Sequence, residues 1–307
     1  MRRLDQITLK QLRALHTVAA EGTISAAAHR LGLTGPAVHN QLKTLEELIG
    51  SRLLENTASG RNAPTPQGQA LLDAHDEIRA ALTRSIGRIQ ALDAGYSGSV
   101  VLGVVSTAKY FAPRIVALLK RQMPEVEIVL KVGNRQETID ALDQGEFDLC
   151  IMGRPPRKRA MEARALGDHP HVLIAAASHP MATLDRVPRD ALLNERFVMR
   201  EPGSGTRILA ARFLEDIGQG LQPATVEMSS NETIKQAVIN ELGIAIISAH
   251  TVAEELRSGR LVALRADGLP IMRAWYLLSR QDHPLTRTAE QVRDWITAHV
   301  DDFLPRI

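Results

Sequence analysis

Within ten residues, Thr34, Gly35, Pro36, His39, Asn40 and Lys43 gather short polar and basic groups on one side of a segment whose other side is apolar. Val38, Leu42, Leu45 and Ile49 recur at i, i+4, i+7 and i+11, the stripe of a helix packed along one face. The imidazole, carboxamide and ammonium groups on the opposite face can hydrogen-bond base edges and phosphates. An α-helix fits the major groove of B-form DNA, where each base pair shows a distinct set of donors and acceptors. His39 and Asn40 are the natural base readers, and Lys43 the phosphate contact.

Such a helix must be held by others. Ser25 to Leu31, dense in alanine, predicts a first helix, and Gly32-Leu33-Thr34 a tight turn that ends with Thr34 as the N-cap of the second. Pro36 is harmless in the first turn, whose N–H groups have no partners inside the helix. Thr8 to Ala20 adds a third helix with Leu9, Leu12, Leu15, Val18 and Ala19 on its stripe. Arg52 to Thr57 and Ala63 to Thr65 flank a polar tip with glycine, which reads as a hairpin wing with Arg61 placed to reach the DNA backbone or minor groove. Beyond Pro66-Gln67-Gly68, residues Gln69 to Asp93 predict one long helix. Its seam of Leu71, Ala74, Ile78, Leu82, Ile86, Ile89 and Leu92 needs a partner, and the same helix of a second chain would supply two-fold symmetry.

Gly95 to Ser99 predicts a flexible joint, after which strands and helices alternate. Val100 to Val105, Val126 to Val132 and Phe147 to Met152 read as strands of a parallel sheet, with helices at Phe111 to Arg121 and Glu137 to Asp143. A second series runs through strands at His171 to Ala177, Phe197 to Arg200, Thr225 to Met228 and Ile244 to Ile247, with helices at Arg207 to Ile217 and Thr233 to Glu241. Ala274 to Ser279 and Thr288 to His299 add a last strand and helix. Two α/β lobes make a cleft, and ligands of such sheets sit beyond the strand ends, where helix N-termini expose N–H groups. Ser106, Thr107 and Lys109, then Asn134, then Arg154 follow the strands of the first lobe; Arg200, Gly203, Ser204, Gly205, Thr206, Asn231 and Ser248 take the same places in the second. Hydroxyls, glycines and arginines at helix starts favour an anion, and the turn from Gly203 to Arg207 resembles a phosphate-wrapping nest. For each hydroxyl an N-capping role is the alternative. The run Arg157-Lys158-Arg159 reads as a solvated turn.

Composition sets the limits. The 307 residues are 44% hydrophobic and 23% charged, ordinary for a globular chain of two or three units, and the net charge of +2 does not announce a nucleic-acid partner. Residues 1–65 carry eight Lys or Arg against five Asp or Glu, a modest basic excess. No run is long and apolar enough to span a membrane, and the opening MRRLDQITLK lacks the apolar run of a secretion signal, so the expectation is a cytoplasmic protein. The single cysteine, Cys150, excludes an internal disulfide and sits in an apolar run that predicts a buried strand. The chain has no G-x-S-x-G, Walker loop, H-E-x-x-H or paired-cysteine spacing. Gly203-Ser204-Gly205 lacks identifiable His and Asp partners, and Pro170 constrains His169-Pro170-His171 against a metal pair, so neither an enzymatic role nor a metal is expected.

Over nearly its whole length the chain resembles the LysR-type transcriptional regulators, with ISAAAHRLGLTGPAV, LKTLEELIG and PTPQG as the family-like stretches. VVSTAKYFAPRI, VGNRQETIDAL, DLCIMGRPP, REPGSGTR, MSSNETIKQAV and GLPIMRAWY are similar to the CbbR group of regulators of RuBisCO (Calvin cycle) operons. The resemblance implies a winged helix-turn-helix in residues 1–65, a dimerising linker helix in 66–94 and an effector domain of periplasmic-binding-protein type in 98–307. Its lobe I would cover about 98–167 and 268–303, and lobe II about 168–267. It further implies activation of carbon-fixation genes by a dimer of dimers on promoter DNA, contact with RNA polymerase, no cofactor, and ribulose bisphosphate, another phosphorylated metabolite or NADPH as effector. Gly35, His39, Asn40 and Asn56 depart from the residues usual in the family. A family member with a carboxylate effector, or a solute-binding receptor, remains the alternative.

Overall fold

The computed structural model describes residues 4–156 and 160–305, so the run Arg157-Lys158-Arg159 lies outside the described residues. Two compact units, Met1–Ile86 and Gly87–Ile307, divide the chain within a long helix. In the first, α1 (Leu9–Glu21), α2 (Ile24–Leu31) and α3 (Gly35–Ile49) each start at a threonine, Thr8, Thr23 and Thr34, whose hydroxyl accepts a backbone N–H of the first turn. Leu12, Leu15, Val18, Ala27, Val38, Leu42 and Leu45 close the core between them, with Leu53 and Leu72. Leu9, expected on that stripe, is instead half exposed at the start of α1.

β1 (Leu54–Asn56) and β2 (Asn62–Pro64) form the antiparallel wing. The wing is tied to the end of α1, where Gly22 takes a left-handed φ of 78° and its carbonyl accepts from the Asn62 backbone at 2.7 Å. α4 (Pro66–Asp93) starts at Pro66, three residues ahead of the expected Gln69, because proline suits a first turn.

In the second unit β3 (Gly98–Val105), α5 (Ala112–Gln122), β4 (Val126–Gly133), α6 (Arg135–Asp143) and β5 (Leu149–Met152) form the expected parallel β-α-β-α-β. β3 begins at Gly98, and Ser97 donates to the Glu125 carbonyl at 2.7 Å, so the predicted Gly95–Ser99 joint is shortened to the turn after α4. β6 (Met161–Asp168) is not legible in the sequence. It alternates Glu162 and Arg164 with small residues and pairs with β12 along the edge of the sheet, carrying partly exposed ion pairs where a core strand would carry an apolar stripe.

β7 (His171–Ala176), α7 (Arg189–Leu193), β8 (Phe197–Arg200), α8 (Gly205–Gly218), β9 (Thr225–Met228), α9 (Asn231–Ile239), β10 (Ala245–Ser248), α10 (Ala253–Arg257) and β11 (Leu261–Leu264) build the second lobe. β12 (Ala274–Arg280), α11 (Arg287–Ala298) and α12 (Val300–Phe303) return to the first. The first lobe's sheet runs β4-β3-β5-β12-β6, with β12 antiparallel to both neighbours, so it is mixed rather than wholly parallel. The second lobe has β10-β7-β11, antiparallel throughout, and the parallel pair β8-β9, joined to it by a bridge between Phe197 and Ile244. The chain crosses between lobes twice, at His169–His171 and Ile271–Arg273, and the two crossings hydrogen-bond each other: His169 N–H to the Arg273 carbonyl at 2.7 Å and His171 N–H to that of Ile271 at 2.9 Å. Each lobe keeps its own core, around Trp275 and Phe111 in the first and Phe197 and Phe213 in the second.

Candidate functional site

α3 presents Thr34, Pro36, His39, Asn40 and Lys43 to solvent, with Gly35 half-buried, while Val38, Leu42 and Leu45 face the core. The Thr34 hydroxyl is engaged as a cap, accepting from Ala37 N–H at 3.4 Å. Lys43 lies 3.9 Å from Glu47 one turn on, an exposed pair that leaves the ammonium available. Arg61 does not extend from the wing tip as expected. Its guanidinium folds onto the end of α1 and donates to the Glu21 carbonyl at 3.3 Å, packed so closely over Gly22 that a Cβ there would lie 2.4 Å from Nε. The open carbonyls at a helix C-terminus attract a cation, which explains the turn inward.

Between the lobes lies a cavity of about 360 Å³. Ser106 and Thr107 reach it from the end of β3, Arg154 from beyond β5, and Ser204, Gly205 and Thr206 from the start of α8. Ser204 occupies the N-cap position of α8 but gives the helix no side-chain hydrogen bond, and Thr107 caps nothing either, so the capping alternative fails for both hydroxyls. Ser204 and Thr206 are nearly buried, at 3% and 4% exposure. The first turn of α8 therefore sets free N–H groups and two hydroxyls toward one space.

The structure takes five expected residues elsewhere. Asn134 is the capping residue of α6, accepting from Glu137 N–H at 3.0 Å while Glu137 accepts in return. Gly203 is a lobe contact: its carbonyl accepts from Gln136 N–H at 3.1 Å, its φ is 86°, and a Cβ would lie 3.2 Å from Gln136 Cβ. Arg200 and Asn231 bind each other instead of facing the cavity. Arg200, 3% exposed, forms a two-pronged pair with Glu201 at 2.7 Å and donates to Ser106 Oγ at 3.3 Å and to Asn231 Oδ1. A buried guanidinium needs a carboxylate, and the adjacent Glu201 supplies it. Lys109 turns to Glu232, 3.7 Å away, beside Tyr110, whose hydroxyl donates to the same carboxylate at 2.6 Å. Arg207 likewise leaves the expected nest for Glu227, at 2.7 Å, and the Arg200 carbonyl.

Ser248 stands one step back, its Oγ 3.0 Å from His169 Nε2. His169 does line the cavity, as do His171, Arg135, Arg212 and Arg273, none of which the sequence singles out as ligand contacts. Arg135 directly follows the capping Asn134, and Arg212 lies two turns into α8, where no strand-end argument reaches; His169, His171 and Arg273 come from the crossovers, which have no periodic pattern. Among the described lining residues there are four arginines and two histidines and not one carboxylate.

Arg135 donates to the Arg154 carbonyl at 2.6 Å, and burial and the nearby Arg154 charge lower its pKa. His169 stacks on Trp275 at 3.6 Å with the rings 13° apart, and its centroid lies 4.3 Å from that of His171. Burial and the neighbouring histidines hold His169 far below its ordinary pKa, and burial brings His171 down to about 4. Buried Cys150, its thiol pushed up by burial, takes no part in the cavity. The site is a positive, hydroxyl-rich space.

Residues 9–69 match the family model described as "Bacterial regulatory helix-turn-helix protein, lysR family", and residues 93–301 match the "LysR substrate binding domain". The chain is 47% identical over 306 residues, 99% of each chain, to the HTH-type transcriptional regulator CbbR of Cereibacter sphaeroides. It is 36% identical over 290 residues, 94% of this chain and 95% of the other, to the RuBisCO operon transcriptional regulator of Allochromatium vinosum. Among solved structures, the regulatory domain of Synechocystis PCC6803 CcmR in complex with 2-PG superposes with a TM-score of 0.62 at 33% identity, covering 66% of this chain and 97% of that one. With both parts of the family's architecture matched and a relative identical at nearly half the positions from end to end, the chain belongs to the LysR family of bacterial helix-turn-helix transcriptional regulators.

Proposed function

We propose that this chain activates transcription of a RuBisCO operon and that its cavity receives a phosphorylated metabolite. The observation that carries the effector reading is the set of four arginines and two histidines around the cavity with no acidic group among the described lining residues. Arg135 and Arg154 repel each other until an anion lies between them, so ligand charge is worth more here than at a neutralised site. Ser106, Thr107, Ser204 and Thr206 supply the hydroxyls, with the α8 N-terminus behind them. CcmR, one-third identical to this chain, carries 2-PG in its regulatory domain. Ribulose bisphosphate and NADPH are further phosphorylated ligands of suitable charge.

Thr34, Gly35, Pro36, His39, Asn40 and Lys43 form the major-groove face, and Arg61 braces the wing that lies against the DNA backbone. The division into residues 1–65, 66–94 and 98–307 then separates reading, pairing and sensing. Ile78, Leu82, Ile86, Ile89 and Leu92 stay exposed along α4, and a second copy of the chain is their natural cover, building a dimer of dimers on promoter DNA that meets RNA polymerase in the cytoplasm. An effector shifts such an assembly only by its difference in affinity for two arrangements, typically about 1–3 kcal/mol of coupling. The serine, threonine and arginine contacts from both lobes provide that difference.

Thermal-shift screening of the full chain against 2-phosphoglycolate, ribulose bisphosphate, NADPH and muconate tests the reading. A phosphorylated compound is expected to raise the unfolding temperature, and Arg154→Ala and Thr206→Ala are expected to abolish most of the rise while sparing promoter binding. Equal responses in parent and variants would sink the site assignment, and a response to muconate alone would make the effector a carboxylate.

A further inference from the structure

α1 and α4 meet over a side-chain cluster that neither DNA reading nor effector binding uses. His16 on α1 and His75 and Asp76 on α4 each offer one ligating atom, and the three atoms lie within 4.8 Å of one another. His75 Nδ1 is 3.4 Å from Asp76 Oδ1, and His16 Nε2 is 3.9 Å from the same oxygen. The imidazole rings face each other at 5.0 Å. His75 is 8% exposed, and both its Nδ1 and Asp76 Oδ1 are buried without a hydrogen-bond partner. Two buried polar atoms that converge without a formed hydrogen bond are costly, since each loses its water for little return.

Two imidazole nitrogens and one carboxylate oxygen are a donor set for borderline divalent transition metals, whereas magnesium and calcium prefer oxygen throughout. Bonds of about 2.0–2.2 Å in tetrahedral geometry ask for ligand separations of about 3.3–3.6 Å. The two separations from Asp76 Oδ1 meet that spacing or miss it by a few tenths of an ångström, and the third, between the two imidazoles, lies within 4.8 Å and closes by side-chain rotation on binding. We propose that His16, His75 and Asp76 form a zinc-type metal site that clasps the start of the long helix to the first helix of the DNA-binding unit. Three protein ligands leave a fourth position for water, and the metal satisfies both orphaned atoms at once. Because α4 carries the pairing seam and α1 packs on α2 and α3, such a clasp fixes the root of the helix from which the recognition unit is suspended.

The test uses full-length protein stripped with a chelator and titrated with CoCl2 and ZnCl2. One cobalt per chain with the intense visible bands of four-coordinate Co(II), displaced by zinc, and a zinc-induced rise of about 4 °C or more in the first unfolding transition are expected. His16→Gln and Asp76→Asn, both at partly exposed positions, are each expected to weaken cobalt affinity by about tenfold or more while circular dichroism stays that of the parent. His75→Gln, at the buried position, adds a third arm. Absence of the cobalt bands, or bands and thermal shift of parental size in His16→Gln and Asp76→Asn, overturns the proposal.

Discussion

His171 and His169 are kept neutral by burial at the edge of a cavity otherwise ringed with arginine, and that arrangement has a consequence for pH. The folded-state pKa of His171 lies near 4, below its ordinary 6.5. The unfolded chain therefore takes up a proton as pH falls through 6.5 while the folded one does not. The stability contributed by the neutral histidine is present above that pH and is lost as pH falls toward 4, on the order of 3 kcal/mol from His171 alone. His169, lowered in the same direction, extends the loss below that range. Urea midpoints measured at pH 6.5 and near pH 4.5 should differ accordingly in the parent and much less in His171→Asn. The hydroxyls are legible in the sequence and the histidines are not: Ser204 and Thr206 sit at a readable strand-to-helix turn, whereas His169 becomes a wall of the cavity only because two crossovers bring it under Trp275.

α4 shows the same contrast at the scale of elements. Its apolar spacing announces a seam, and the helix cannot hide those positions by itself: Leu82, Ile86, Ile89 and Leu92 are 44%, 55%, 57% and 51% exposed. Ile86→Glu is expected to leave the fold of one chain nearly unchanged, as for most surface substitutions, while shifting the sedimentation coefficient toward the monomer. A variant that sediments with the parent would remove the pairing role of this face. The sequence puts the starts of α6, α8 and α9 two residues late each, because the polar residues just inside the first turn look like loop. That error matters for α8, since an earlier start is what puts Gly205 and Thr206 on the helix end that faces the cavity. β6 escapes notice for a different reason: an edge strand held by backbone pairing on one side need not be apolar.

At the scale of the molecule, the pairing proposed for α4 would double each phosphate contact made by one chain. Lys43→Ala is expected to weaken promoter binding about equally on specific and unrelated DNA. It should also flatten the plot of log affinity against log salt by about two contacts per dimer, roughly 1.8 in slope. An unchanged slope would take Lys43 off the DNA backbone. Between the lobes, Tyr110 with Glu232, Arg200 with Ser106 and Gln136 with the Gly203 carbonyl fasten the cleft beside the cavity. Local patterns, the capping threonines, the stripe of Val38, Leu42 and Leu45 and the seam of α4, determined from sequence alone that a DNA-reading unit precedes a long helix and two α/β lobes, because each is a periodicity of neighbouring residues. Which cations line the cavity and which are spent on carboxylates was decided only by the tertiary structure. Glu201 follows Arg200 directly in the sequence, but only the fold buries that pair against Ser106 and Asn231, while Arg154 is left lining the cavity.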